Sequence, residues 1–146
     1  MKKGSVYCSI GFVFLFGAAL IALLFFAPRI MALYASWRLL SVAVCSVVLA
    51  AFYASAVPAA VSLVCLFLLL RNILDERPFL RRNCLLIGIV SWCCVAVAVF
   101  TLIAGIRYMP LLLVTAAMLF IFLILRIVRR CFDAAIALKE ENNLTI

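Results

Sequence analysis

The chain has 146 residues, which suits one domain, with 71% apolar and 12% charged residues and a formal net charge of +8. That apolar share lies far outside the range of soluble globular proteins, and the lack of any histidine argues against cysteine–histidine metal sites. Four stretches carry no charged residue: Gly4–Pro28, Leu39–Leu70, Asn83–Ile106 and Tyr108–Leu125. A helix rises about 1.5 Å per residue, so roughly 20 apolar residues cross a hydrocarbon core about 30 Å thick. The expectation is an all-α, four-span transmembrane helical bundle forming a single domain over residues 1–146.

The first span is expected at residues 6–27. Lys2 and Lys3 precede it as they would a signal peptide, but the apolar run of 25 residues exceeds the roughly 7–15 of a signal core. Its end, Leu24-Phe25-Phe26-Ala27-Pro28, lacks a small-x-small cleavage pattern. Pro28 and Arg29 are expected to stop the helix. Tyr34 and Trp37 in the loop that follows suit headgroup depth.

The second apolar run holds 32 residues, about 48 Å if helical throughout, so the span expected at 44–70 must tilt or begin along the surface. Pro58 offers a kink. Ala51, Ser55 and Ala59, with Ala50 and Ala54 beside them, form a row of small residues that lets a neighbouring helix approach.

The loop at residues 71–83 is the most polar internal segment, with a turn expected at Pro78-Phe79. Spans at 84–106 and 111–127 follow, joined by a tight turn at Arg107-Tyr108-Met109-Pro110. In the tail, 128–146, Val128, Phe132, Ala135 and Ile136 recur at three- and four-residue spacing, while Arg129, Arg130, Asp133, Lys139 and Glu140 fall elsewhere. This pattern predicts an amphipathic helix leaving the bilayer without a break and ending around Glu141.

With the N-terminus inside, ten basic residues are cytoplasmic: Lys2, Lys3, Arg71, Arg77, Arg81, Arg82, Arg126, Arg129, Arg130 and Lys139. Only Arg29, Arg38 and Arg107 lie outside. The positive-inside rule therefore places both termini in the cytoplasm. It also accounts for the net charge through anionic headgroups rather than direct nucleic-acid binding.

Chemistry is sparse. Cys45, Cys65, Cys93 and Cys94 lie in apolar runs, and Cys8, Cys84 and Cys131 lie near the inner ends, where thiols stay reduced. They read as small apolar filler, with a palmitoylated or redox-active thiol as the alternative. None of the four apolar runs contains Asp, Glu, Lys or Arg, the usual marks of ion pathways. No phosphate loop, HExxH motif or serine–histidine pair is present. The expectation is a protein that is not an enzyme and uses no cofactor or metal.

Leu70-Arg71-Asn72-Ile73-Leu74, then Pro78-Phe79 and Asn83, resembles the signature loop of a bacterial membrane-protein family. Leu138-Lys139-Glu140-Glu141-Asn142-Asn143-Leu144-Thr145-Ile146 resembles that family's ending more closely. The family is domain of unknown function 2975, whose members have about this size and four spans, so that the resemblance extends over nearly the whole chain. This chain departs from the pattern at Arg77, where glycine is usual, at Leu80, where threonine or a similar cap is usual, and at Asn143, usually acidic.

Genes of this family commonly lie beside one for a small helix-turn-helix DNA-binding protein. The resemblance thus implies a regulator or anchor in the bacterial cytoplasmic membrane that binds such a soluble partner. The expected contact residues are Phe79, Arg81, Arg82, Asn83, Lys139, Glu140, Glu141, Leu144 and Ile146, since a short apolar-acidic terminus can dock in a groove. The structural alternative packs the tail on the loop, with Glu140 or Glu141 facing Arg81 or Arg82. Other readings are a small transporter subunit, whose polar path would need Ser55 and Ser62, and an assembly or lipid-interaction protein relying on Arg77, Arg81 and Arg82. Homo-oligomerisation is left open by the sequence.

Overall fold

The computed structural model describes residues 3–38, 41–74 and 81–144. It is all-helical: α1 is Lys3–Arg38, α2 Val42–Leu74, α3 Arg81–Gly105 and α4 Pro110–Leu144. Each is long and apolar enough to cross a membrane. Phe14 stacks edge-on against Phe67, with ring centroids 5.6 Å apart, and Tyr53 reaches Leu24. These pairings set α1 and α2 antiparallel, and the short connections repeat that reversal through α3 and α4.

α1 does not stop at Pro28; it continues unbroken to Arg38. A proline removes the amide that would bond the carbonyl four residues earlier, here that of Leu24. The Tyr53 hydroxyl of α2 donates to that same oxygen at 3.1 Å. A neighbouring helix thus supplies the missing donor, which is how membrane helices tolerate proline. α2 likewise runs through Pro58, whose carbonyl accepts from Ser62 Oγ at 2.9 Å.

Helix ends follow ordinary chemistry. The Ser41 carbonyl accepts from the amides of Val44 and Cys45 at 3.0 and 3.2 Å, opening α2. Between α3 and α4, the amides of Arg107 and Tyr108 both bond the Ala104 carbonyl, at 3.1 and 3.0 Å. Pro110 then begins α4, where its lost amide costs nothing. A Cβ at Gly105 would come 2.7 Å from Leu112 Cδ2 and 3.3 Å from the Leu112 amide nitrogen, so this turn closes on a glycine.

Among the described residues, close helix–helix approaches join α1 to α2, α2 to α3 and α3 to α4. α3 is the central element. Its buried positions include Cys84, Ile87, Gly88, Ser91, Ala98, Thr101, Ala104 and Gly105, a mostly small-residue seam at three- and four-residue steps. Small side chains let backbones approach where lipid offers no hydrophobic drive. The Thr101 and Thr115 hydroxyl oxygens lie 2.9 Å apart across the α3–α4 contact, one donating to the other, and each also lies within hydrogen-bond distance of a carbonyl of its own helix. The row Ala51, Ser55 and Ala59 of α2 is half-buried, and Ala50 is exposed. All seven cysteines are free thiols.

Candidate functional site

The end of the molecule that carries the C-terminus of α2, the N-terminus of α3 and the far part of α4 is basic. Arg71, Arg81, Arg82, Arg126 and Arg130 are exposed there, and Arg129 is half-buried. The Arg126 guanidinium lies 5.8 Å from the Phe122 ring centre, one helical turn earlier.

Two asparagines tie α2 to α3. Asn72 Nδ2 donates to Asn83 Oδ1 at 2.7 Å, across the segment that joins the helices. Asn83 is only 1% exposed, and Asn72 is half-buried. A buried amide must meet its partners, so this pair fixes how the two helix ends face each other.

A second tie joins α3 to α4. The Arg129 guanidinium lies against the Gly88 backbone: a Cβ there would stand 2.7 Å from Arg129 Nη1 and 3.2 Å from Cζ. One turn further along α4, Asp133 faces the same cavity as the Cys84 thiol. Arg81, Cys84, Arg129, Asp133 and Ile136 all line a cavity of about 340 Å³. Ile136 is buried, which seats the far part of α4 on α3.

Several residues expected at a partner surface are brought to this end. Arg81 and Arg82 are exposed at the start of α3, and Glu141 is exposed near the end of α4. Lys139, Glu140 and Leu144 lie in the last turns of α4, which runs to Leu144 rather than ending around Glu141. Asn83 sits in the interior, bonded to Asn72. Phe79, Ile146 and the turn at Pro78 lie outside the described residues. Arg81 shares that cavity with Asp133, about two turns before Glu140 and Glu141.

Three contributors were not anticipated: Gly88, Arg129 as a seated side chain, and Asp133. The small-residue spacing Cys84, Gly88, Ser91 was available as a signal for close packing. The meeting of Asp133 and Cys84 at one cavity, nearly fifty positions apart in the chain, carries no local signal.

Four long apolar helices of this kind define a multi-pass membrane protein. The chain belongs to the family described as protein of unknown function DUF2975, whose model matches residues 41–146. The matched stretch takes in α2, α3, α4 and both asparagines, and α1 lies outside it. No curated protein and no solved structure matches the chain.

Proposed function

We propose that the protein is a membrane-bound regulator or anchor of the bacterial cytoplasmic membrane, with both termini in the cytoplasm. Its basic end binds a soluble partner, a small helix-turn-helix DNA-binding protein. The observation that carries this reading is the length of α4. Its 35 residues extend about 52 Å, against a hydrocarbon core of about 30 Å, and all its charged residues fall at or beyond Arg126, so the excess length lies at the basic end.

The charge distribution supports the orientation, since exposed arginines gather at this end. One-sided burial supports an amphipathic extension: Phe132 and Ala135 are half-buried and Ile136 buried, whereas Arg130, Asp133 and Leu138 are exposed. In this reading Arg81, Arg82, Lys139, Glu140, Glu141 and Leu144, together with Phe79 and Ile146, form the docking surface. Asn83 holds the surface in place from beneath. Transport is less well supported, because Ser55 and Ser62 line a cavity whose walls are otherwise apolar.

The test compares the full chain with a version ending at Leu138, each purified after crosslinking in native membranes. The full chain recovers a soluble DNA-binding protein and the shortened chain inserts normally but does not. Equal recovery by both versions removes the tail from the site. Recovery of membrane proteins alone by both overturns the reading.

A further inference from the structure

A cavity of about 410 Å³ lies within the apolar part of the molecule, between all four helices. Phe16 reaches it from α1, Ser55 and Ala59 from α2, Cys94 from α3, and Met118 from α4. Its volume falls in the range of roughly 300–1,000 Å³ typical of small-molecule sites, which pair apolar walls with a few placed polar groups. No Asp, Glu, Lys or Arg lines it. Ser55 stands near the middle of α2, so the cavity opens at bilayer depth. α1 and α4 make no close approach among the described residues, which leaves a side of the cavity without a helix–helix contact.

Ser55 differs from other hydroxyl residues of the helices. Ser36, Ser46, Ser62 and Ser91 each donate to a carbonyl three or four residues earlier, and Thr101 and Thr115 bond each other across the α3–α4 contact. The Ser55 Oγ is buried and has no hydrogen-bond partner among the described residues. A buried hydroxyl without a partner is costly, and natural structures keep few of them without a use.

We propose that this cavity binds a neutral, lipid-soluble small molecule bearing a carbonyl oxygen, which accepts the Ser55 hydroxyl. The walls offer no charge to pair with an ion, so the ligand is neutral. They are apolar and lie at bilayer depth, so it arrives dissolved in lipid. The unmet donor calls for an acceptor, which a plain hydrocarbon chain does not carry. This site is independent of the cytoplasmic partner: ligand binding is read on the purified chain alone, and failure of either proposal leaves the other standing.

Benzophenone, an apolar diaryl ketone that inserts into nearby C–H bonds on irradiation, is the probe. The purified full chain in lipid nanodiscs is labelled over a concentration series and the adducts are mapped. The expected result is saturable labelling of the segments carrying Cys94 and Met118. Ser55→Ala raises the half-saturating concentration by about three- to tenfold, the worth of one net hydrogen bond. Diphenylmethane, which lacks the carbonyl, competes more weakly with the wild type by a similar factor and equally well with Ser55→Ala. Ala59→Phe fills the space and abolishes saturable labelling. Because Ser55→Ala removes only an unbonded hydroxyl, its fold is secure if Ala59→Phe disturbs packing. Non-saturating labelling scattered over lipid-facing residues overturns the proposal. So does labelling that Ser55→Ala leaves unchanged or that diphenylmethane displaces as well as benzophenone does.

Discussion

The hydroxyl of Tyr53 donates to the carbonyl of Leu24 at 3.1 Å, and Leu24 stands four residues before Pro28. This bond explains both the passage of α1 through a proline and the register of α1 on α2. Tyr53→Phe is expected to destabilise the detergent-solubilised protein by about 1 kcal/mol, the scale of an interhelical hydrogen bond in a membrane protein. Pro28→Ala restores an amide for Leu24, so Tyr53→Phe costs less in that background. Reversible unfolding of the four variants measures the coupling; additive losses count against this role for Tyr53.

The Asn72–Asn83 bond gives a second prediction. Asn83→Leu leaves the Asn72 amide without its 2.7 Å acceptor next to a buried position. A loss of about 1–3 kcal/mol is expected, because a stranded buried polar group costs more than the net worth of its bond. Replacing both asparagines by leucine recovers part of that loss, which unfolding of the single and double variants tests.

Two glycines can be ranked by what surrounds them. At Gly88 the nearest atom to an added Cβ is Arg129 Nη1, the tip of a long side chain that can swing aside. At Gly105 the added atom meets the Leu112 side chain at 2.7 Å and the Leu112 backbone nitrogen at 3.3 Å, inside a closed turn. Gly105→Ala is therefore the costlier change, by about 1–3 kcal/mol against a smaller loss for Gly88→Ala. Thermal unfolding of the two variants checks the order.

At the opposite end, the phenol oxygens of Tyr34 and Tyr108 share a hydrogen bond of 2.6 Å, holding α1 against the α3–α4 turn. That bond raises the Tyr108 hydroxyl above its ordinary value of 10.0. A pKa raised in the folded state means stabilisation that is present below the ordinary tyrosine value and lost as pH climbs through the folded one. The stability gap between wild type and Tyr34→Phe should therefore close above a pH of about 10. A gap that stays constant through the alkaline range contradicts the contribution of this bond.

Much of the fold could be read from the sequence because charge-free runs and their basic boundaries report directly on the bilayer. Four apolar helices follow from run length, and the fourth runs on unbroken to Leu144. The end of α1 was misplaced because Pro28 followed by Arg29 normally halts a helix, and nothing local reveals that Tyr53 supplies the missing donor. Span two carries an obvious row of alanines, yet α3 holds the buried seam, since spacing identifies a close-packing face without saying which helix lies in the middle. At the basic end, Arg81 and Arg82 could be picked out by charge. The Asn72–Asn83 bond and the cavity shared by Cys84 and Asp133 depend on how helix ends meet and have no periodic signature.

In the proposed function the basic end, with the far part of α4, is a docking surface for a soluble regulator. Photo-crosslinking in living cells tests it most directly, with a photoreactive amino acid placed at exposed Arg82, at exposed Glu141 and, for contrast, at exposed Trp37 on the opposite end. The Arg82 and Glu141 positions are expected to capture a soluble helix-turn-helix protein and the Trp37 position is not. Adducts to membrane components alone at Arg82 and Glu141, or the same soluble protein captured at Trp37, would contradict the proposed function.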